Sequence, residues 1–228
     1  MKLLGTSYKI EKSDKWSKDI LSKIMYLAPS TLSGKNVCTW ASKGCIAACL
    51  NTAGRGAMSN VQQARVNRTN LFFNDRNGFE TKLRKEMTSF VKKCDKAVKT
   101  AAMRLNGTSD LAWETIFPDL FTDYKTSMFY DYTKSVRRAI AFARGEMPSN
   151  YHITFSRSEV NDQQCLDVLK EGGNVAVVFK DELPKTWKGF PVFNADEHDL
   201  RFLDKKGVAG LTAKGRAKKD TSGFVVGA

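Results

Sequence analysis

Segments with the pattern of strands alternate with segments with the pattern of helices, and this alternation restricts the fold more than any other feature of the chain. Short apolar runs predict strands at 100–107, 127–133, 151–156 and 174–179, and shorter ones at 189–193 and 207–212. Helices are predicted between them, at 60–73, 79–93, 110–116, 118–124, 134–145 and 158–173. Strands separated by helices of these lengths predict right-handed crossovers and a parallel sheet. We therefore expect an α/β fold whose sheet is either open or curled into a barrel.

Two of the predicted helices carry clear signals for a buried face or for their ends. In the helix at 79–93, large apolar residues recur at helical spacing, which predicts one buried face: Phe79, Leu83, Met87, Phe90 and Val91. In the helix at 158–173, Ser158 is predicted to cap the first turn, and Gly172 and Gly173 are predicted to end the last.

The chain has the size and composition of one globular domain. Its 228 residues are 42% hydrophobic and 27% charged, which is ordinary for a domain of this length. We expect a single domain over 1–228, with an N-terminal extension at 1–23, a cysteine loop at 30–57 and a basic C-terminal segment at 200–228. No apolar run has the length of a membrane span or of a signal peptide. The expectation is a cytoplasmic protein without a membrane partner.

Polar side chains follow three of the predicted strands, in "NGTSD" (106–110), "DYTK" (131–134) and "SRSE" (156–159). The carboxyl ends of parallel strands meet at the same edge of a sheet, where α/β proteins place their sites. The side chains expected to line one concavity there are Arg104, Asn106, Ser109, Asp110, Asp131, Lys134, Ser156, Ser158 and Glu159.

The period-two alternation of the strands assigns some of these residues to faces. Arg104 shares a face with Asn106, and His152 shares a face with Ser156, opposite mostly apolar neighbours. Together with Asp131, these residues are predicted to form the polar inner lining of a barrel mouth. The alternative is structural: Arg104 and Asp131 form an ion pair, and His152 is a hydrogen-bonded histidine of the core.

Three of the five cysteines, Cys38, Cys45 and Cys49, lie within a dozen residues. Cytoplasmic thiols stay reduced, so close cysteines indicate metal binding or chemistry rather than disulfides. The C-x6-C-x3-C spacing has no nearby fourth ligand, which favours a four-iron four-sulfur cluster whose fourth iron is free to bind a substrate or cosubstrate. The alternative is zinc with Cys94 or Cys165 as the fourth ligand, although both share a helix face with apolar residues.

The motifs "LAPSTLSGKNVCTWASKGCIAACLNTAGRG", "RLNGTSDLAWE", "YDYTK", "SRSE", "GGNVAVVF" and "DEHDLRFLD…GLTAKGRAKKDTSGFVV" resemble the phage-borne gene product 88 family, over most of the chain from about residue 26 onward. The resemblance implies a viral origin, in the cytoplasm of an infected bacterial host, and a shared fold. It implies little about the reaction.

The order of the motifs is also similar to the architecture of radical S-adenosylmethionine enzymes, in which a three-cysteine loop follows the first strand of a partial (β/α) barrel. This resemblance implies a partial barrel, with Cys38, Cys45 and Cys49 holding the cluster. It further implies S-adenosylmethionine as a cosubstrate, its amino acid end bound by Asn106, Ser109 and Asp110 and its ribose by Ser156, Ser158 and Glu159. The usual spacing in that superfamily, C-x3-C-x2-C, differs from the spacing in this chain.

Two classes of function are open. The first is a redox or radical-type enzyme acting on a small or anionic substrate, with Asp131, Lys134, Glu159 and His198 as candidate catalytic residues. His198 lies among carboxylates in "ADEHDLR" and could act as a general base. The second is a metal-braced nucleic-acid-binding protein without catalysis. Its basis is the net charge of +13, which attracts phosphates, and aromatic residues such as Trp40, which could stack on bases.

Overall fold

The structure is a computed structural model that describes residues 1–227, and nine strands of these residues form one sheet. In chain order the strands are β1 (Leu4–Gly5), β2 (Ile20–Met25), β3 (Thr100–Arg104), β4 (Met128–Thr133), β5 (Tyr151–Ser156), β6 (Asn174–Phe179), β7 (Thr186–Trp187), β8 (Phe190–Asn194) and β9 (Val208–Thr212). The helices are α1 (Tyr8–Trp16), α2 (Lys43–Ala47), α3 (Ser59–Asn74), α4 (Arg76–Lys96), α5 (Trp113–Ile116), α6 (Asp119–Asp123), α7 (Val136–Ala143) and α8 (Asp162–Lys170). Short 3₁₀ helices cover Leu50–Thr52, Gly54–Ala57, Arg201–Leu203 and Gly215–Lys219.

The sheet is mostly parallel and open. Its strand order is β1-β2-β3-β4-β5-β6-β9-β8-β7, and β1 and β7 are its two edges. Only these two short edge strands run antiparallel to their neighbours among the described residues. The predicted α/β fold with a parallel sheet is therefore confirmed, and all the parallel strands present their carboxyl ends at one edge.

Helices α3 to α8 cover one face of the sheet with a continuous apolar core. The face predicted for α4 is confirmed, because Phe79, Leu83, Met87 and Phe90 are buried there together with Cys94. They pack in one cluster with the residues of the strands that point toward the helices, among them Met103, Phe129, Ile153 and Phe155. Burial of side chains of this size provides most of the stabilisation of such a fold.

The opposite face of the sheet is covered by α1 and by the segment 195–204. Leu200 and Phe202 pack against Ala102 and Tyr130 of the sheet, and the backbone N–H of Asp199 donates to Ser13 Oγ of α1 at 2.7 Å. The expectation that 1–23 is an extension is wrong, since these residues supply β1, α1 and the start of β2. β1 and α1 bury only a few apolar side chains, among them Leu4 and Ile10, and these are hard to recognise among the many lysines of the segment.

The start of α8 differs from the prediction. Asn161 stands at the N-cap position and the helix begins at Asp162, whereas Ser158 belongs to a turn before it. The backbone N–H of Ser158 donates to Asn161 Oδ1 at 2.6 Å, so the asparagine side chain stabilises the turn. None of the described helices combines the length and the apolar character that a membrane span requires.

Candidate functional site

The cysteine loop lies on the carboxyl edge of the sheet, where it is bound to the segment that follows β3. The backbone N–H of Asp110 donates to the carbonyl oxygen of Val37 at 2.8 Å. The thiol of Cys38 donates to the carbonyl oxygen of Thr108 at 3.6 Å. These bonds place the first cysteine directly beyond the end of β3.

A second attachment joins the loop to the end of β5 through Glu159. Its carboxylate accepts a hydrogen bond from Ser42 Oγ at 2.7 Å and another from the backbone N–H of Gly44 at 2.8 Å. Ser42 also caps α2, because its hydroxyl accepts from the N–H of Cys45 at 3.1 Å. A Cβ atom at position 44 would collide with the side chains of Glu159 and Ser222, so a larger residue there would force these side chains to move.

The three cysteines of the loop line one cavity of about 260 Å³. Each of them is half-buried. The remaining lining residues are Pro29, Ser30, Thr31, Leu32, Ala41, Ile46, Asn51, Thr52 and Arg216. Three thiols and one cation thus surround the cavity, and its lining contains no carboxylate.

The three thiols line the same cavity but do not form a recognisable site for a single metal ion. Within residues 1–227, no three side chains of the metal-ligating types are placed so that they could hold a single ion. In a mononuclear zinc site each thiolate lies about 2.3 Å from the metal, so the sulfurs must almost touch. A cluster of several metal ions is different, since its ligands bind separate corners and can stand further apart.

Burial favours the protonated form of two of the loop thiols, Cys38 and Cys49. Burial raises the pKa of Cys38 to about 11 and also raises the pKa of Cys49, against which the charges of Arg65 and Lys134 act in the opposite direction. At neutral pH these thiols are therefore neutral in the metal-free protein. Binding of a metal would have to displace their protons.

The sequence profile of the gene product 88 family matches residues 2–228, which is nearly the whole chain. The chain belongs to the gene product 88 family. No curated protein and no solved structure shows significant similarity to it. The resemblance expected from the motifs is confirmed, whereas the more distant resemblance to radical S-adenosylmethionine enzymes is not shown by these comparisons.

Several polar residues predicted to converge do lie together at the carboxyl edge of this gene product 88 protein. Asp110 is the centre of the group, because its carboxylate accepts from Thr133 Oγ1 and from the backbone N–H of Lys134, each at 2.7 Å. Lys134 Nζ in turn donates to Ser156 Oγ at 2.8 Å, and Ser109 Oγ donates to Asn106 Oδ1 at 2.7 Å. Ser158, beside them in the chain, is buried. None of these side chains lines the cysteine cavity.

Contrary to the prediction, Asp131 does not line a barrel mouth together with Arg104. It shares the helix-covered face of β4 with Phe129, and its carboxylate accepts from the Asn106 N–H at 2.7 Å and from Tyr151 Oη at 2.8 Å. Burial raises the pKa of this fully enclosed carboxyl to about 7. The alternation of side chains along β4 is as predicted, but the face with Asp131 is the one that the helices cover. Its buried carboxylate is tolerated there because Tyr151 and Asn106 donate hydrogen bonds to it.

On the other face of the sheet, Arg104 contacts the segment 195–204, and His198 is part of that segment. Arg104 pairs with Asp199 at 3.0 Å, so the predicted alternative of an ion pair with Asp131 is wrong. The ring of His198 is buried and stacks on Trp16 with 4.0 Å between centroids, and its Nδ1 accepts from the N–H of Leu200 at 3.2 Å. His152 is half-buried, and burial lowers its pKa to about 4. None of the three lines the cysteine cavity.

Two cations next to the cysteines were not predicted from the sequence. Arg65 of α3 is buried, and its guanidinium donates to the carbonyl oxygen of Asn51, a lining residue of the cavity, at 2.9 Å. Arg216 reaches the cavity from the far end of the chain. No local motif marks either residue, because both are brought to the site by the tertiary fold.

Proposed function

We propose that this gene product 88 protein holds a four-iron four-sulfur cluster through Cys38, Cys45 and Cys49 and uses it in a redox reaction on an anionic substrate. The observation that carries the proposal is the cavity that all three cysteines line. Soft thiolate ligands without carboxylates favour iron–sulfur clusters over hard cations.

The charge around the ligands supports the proposal. All three thiols line one cavity. Thiolates and sulfides are negative, and Arg65, Lys134 and Arg216 supply positive charge close to the cysteines. A cluster held by only three thiolates would supply one iron free to bind a substrate or cosubstrate.

In this proposal the chain's own residues hold and shape the site. Glu159 fixes the loop from β5, and the turn at Thr108 and Asp110 fixes it from β3. Both contacts set the distance between Cys38 and Cys45. Lys134, whose ammonium is already bound to Ser156, would orient an anionic group of the substrate at the same edge.

The direct test is anaerobic purification followed by analysis of iron and acid-labile sulfide. We expect about four irons and four sulfides per chain and a brown protein. The matched control is the variant in which all three loop cysteines are replaced by alanine, purified in parallel, which should be colourless. One zinc ion per chain without iron, with Cys94 or Cys165 as its fourth ligand, would contradict the proposal.

A finer form of the proposal is a partial barrel that binds S-adenosylmethionine at the carboxyl edge. Its support is the position of Asn106, Ser109, Asp110, Ser156 and Glu159 at that edge, beside the cysteine loop. Titration of the iron-loaded protein with S-adenosylmethionine, after chemical reduction has made the cluster paramagnetic, should change its electron paramagnetic resonance spectrum. The absence of any spectral change and of calorimetric binding at millimolar concentration would leave a cluster protein of another kind.

The second candidate function is nucleic-acid binding with the metal only bracing the loop. It is favoured by Trp40, whose side chain is 56% exposed in a loop of a chain with a net charge of +13. An exposed indole can stack on an unpaired base. Anisotropy of a labelled single-stranded oligonucleotide, measured with the native protein and with Trp40→Ala, tests this function directly.

A further inference from the structure

The sheet face covered by α1 and by the segment 195–204 buries a group of unpaired polar atoms. In folded proteins nearly all buried polar atoms are hydrogen-bonded. Within residues 1–227, the buried atoms on this face and on the segment above it that have no hydrogen-bond partner include Arg104 Nε, Tyr130 Oη, Tyr132 Oη, His152 Nε2, Thr154 Oγ1 and Arg201 Nε. Tyr130, Thr154 and Arg201 are fully buried. Hydroxyls and guanidinium nitrogens donate hydrogen bonds, so this face has unused capacity to bind an acceptor.

Asp199 is the acidic side chain that the segment 195–204 inserts into this face. Its side chain is 1% exposed, and its carboxylate pairs with Arg104 Nη1 at 3.0 Å and with Lys9 Nζ at 3.2 Å. Burial acts to raise the pKa of Asp199, but the charges of Arg104 and Lys9 outweigh it and hold this pKa below its usual range. The carboxylate is therefore a tightly bound anion that the chain itself supplies.

The balance of charge indicates what could replace that carboxylate. Arg201, the third cation of the face, is paired with Asp204 at 3.2 Å. Withdrawal of Asp199 would therefore leave two positive charges, those of Arg104 and Lys9, without a partner. A carboxylate brings one negative charge, whereas a phosphate monoester carries about −1.5 to −2 at pH 7 and has three strong acceptor oxygens. The charge and the unpaired donors of the face thus fit a phosphate group better than a carboxylate.

We propose that this face is a binding site for a phosphate monoester group, and that Asp199 occupies the site until the ligand displaces the segment 195–204. We call it the Asp199 site and define it by Lys9, Arg104, Tyr130, Tyr132, Thr154 and Asp199. In the bound state the two cations contact the phosphate oxygens in place of Asp199, and the hydroxyls donate to the same oxygens. None of these residues lines the cysteine cavity, so the inference is independent of the proposed cluster.

The contacts of the segment 195–204 can open without disruption of the main core. Its polar contacts with α1 lie at the surface, where Trp16 Nε1 donates to Glu197 at 3.1 Å and Lys12 Nζ donates to the carbonyl oxygen of Asp196 at 3.0 Å. The apolar side chain of Leu200 belongs to a small cluster that is separate from the large core under the helices. Unpaired buried donors cost free energy in the closed form, and opening of the segment removes that cost.

The experiment uses inorganic phosphate as the probe and potassium chloride of equal ionic strength as the reference. Calorimetry measures binding, and hydrogen exchange with mass spectrometry measures the opening of residues 195–204. We expect saturable binding of phosphate and faster exchange of the segment in phosphate than in chloride, while the exchange of α4 stays the same. No heat of binding at millimolar phosphate, together with equal exchange in the two salts, would overturn the proposal.

Asp199→Asn removes the competing charge from the site. The variant should be less stable than the native protein in chloride, because two cations lose their partner. Phosphate should bind it at least about tenfold more tightly than it binds the native protein and should restore its melting temperature. The matched control is Glu171→Gln, which neutralises a carboxylate in an exposed pair with Arg144 and should bind phosphate like the native protein. Equal affinity of the two variants would contradict the proposal.

Tyr130→Phe combined with Tyr132→Phe separates a ligand site from a structural role and decides the question even if Asp199→Asn does not fold. Both hydroxyls lack partners in the closed form, so their removal should not lower the melting temperature in chloride, but it should weaken phosphate binding at least about tenfold. The control Tyr124→Phe removes a hydroxyl that donates to the carbonyl oxygen of Arg84 at 2.9 Å. It should lower the melting temperature and leave phosphate binding unchanged. A double variant that behaves like this control would overturn the site.

Two oligonucleotides identify the source of the phosphate group. A single strand with a 5′-terminal phosphate and the same strand without it each compete with inorganic phosphate. Displacement by the phosphorylated strand alone assigns the site to the end of a nucleic acid, and displacement by neither assigns it to a small phosphate compound. Equal displacement by both strands would mean that the singly charged phosphates of the backbone bind, which would overturn the assignment to a monoester.

Discussion

The cysteine loop and helix α4 both carry cysteines and both lie against the sheet, yet different forces hold them in place. Helix α4 is fixed by a row of buried apolar side chains, and its Cys94 is one of them. The loop contains little regular structure and is fixed by hydrogen bonds to Thr108, Asp110 and Glu159. Apolar packing thus stabilises the fold, while hydrogen bonds hold the cysteines in position.

The cysteines themselves give the largest expected difference between the two regions. Cys38→Ala, Cys45→Ala and Cys49→Ala should each abolish iron binding, because each removes a ligand that lines the cavity. Cys94→Ala and Cys165→Ala should retain iron, since both thiols are buried among apolar side chains. Iron analysis of all five variants after anaerobic purification checks this. Loss of iron in the Cys94 variant would contradict the assignment of Cys94 as a core residue that is not a ligand.

Truncation of an apolar side chain should lower the free energy of unfolding much more in α4 than in the cysteine loop. Leu83→Ala removes a fully buried side chain from α4 and should lower the free energy of unfolding by about 2–5 kcal/mol. Leu50→Ala, in the loop, truncates an exposed side chain and should change it by less than about 0.5 kcal/mol. Urea denaturation measures both values. Equal destabilisation by the two variants would show that the loop is packed as firmly as the helix.

Loss of the Glu159 contact should lower the free energy of local opening of the loop more than the free energy of global unfolding. Glu159→Ala removes two hydrogen bonds, to Ser42 and Gly44, and should lower the free energy of opening of the loop by about 1–3 kcal/mol. Hydrogen exchange of residues 42–48 should accelerate accordingly. Glu171→Ala is the matched control, because it breaks an exposed ion pair with Arg144 and should leave this exchange unchanged.

The smallest effect concerns thiol reactivity in the metal-free protein. The pKa of Cys38 is raised to about 11 by burial, so below that pH its thiolate fraction should increase roughly tenfold per pH unit. Alkylation of Cys38 by iodoacetamide should follow this slope between about pH 7 and 9, as measured by mass spectrometry. Cys94 and Cys165 should remain unmodified because neither is exposed. A Cys38 that reacts at a pH-independent rate would mean that loop opening, not ionisation, limits its access.

The parts of the fold that follow from local pattern were predictable from the sequence. The strands β3 to β6 and the buried face of α4 come directly from apolar periodicity, because burial of a repeated face imposes that spacing. The meeting of polar residues at the carboxyl edge follows from the parallel order of the strands. Prediction of this meeting required no knowledge of any individual contact.

What depends on long-range packing was not predictable. Alternation shows that Asp131 and Tyr130 lie on opposite faces of β4, but not that helices cover the face with the carboxylate. The roles of Arg65 and Arg216 have no local signal, since each reaches the cavity from a distant element. The sequence favours Ser158 as a helix cap, but the helix begins at Asp162, and Ser158 lies in a turn whose N–H donates to Asn161 Oδ1.

The bond between Glu159 and Gly44 has a consequence for protein synthesis. The two residues are 115 positions apart, and ribosomes add about 5–20 residues per second. The loop therefore leaves the ribosome about 6–23 seconds before the carboxylate that fixes it exists. During that interval the three thiols are part of an unfinished chain, open to oxidants and to the wrong metal. For the proposed cluster, delivery of the metal is thus best timed after translation of β5, not while the cysteines first emerge.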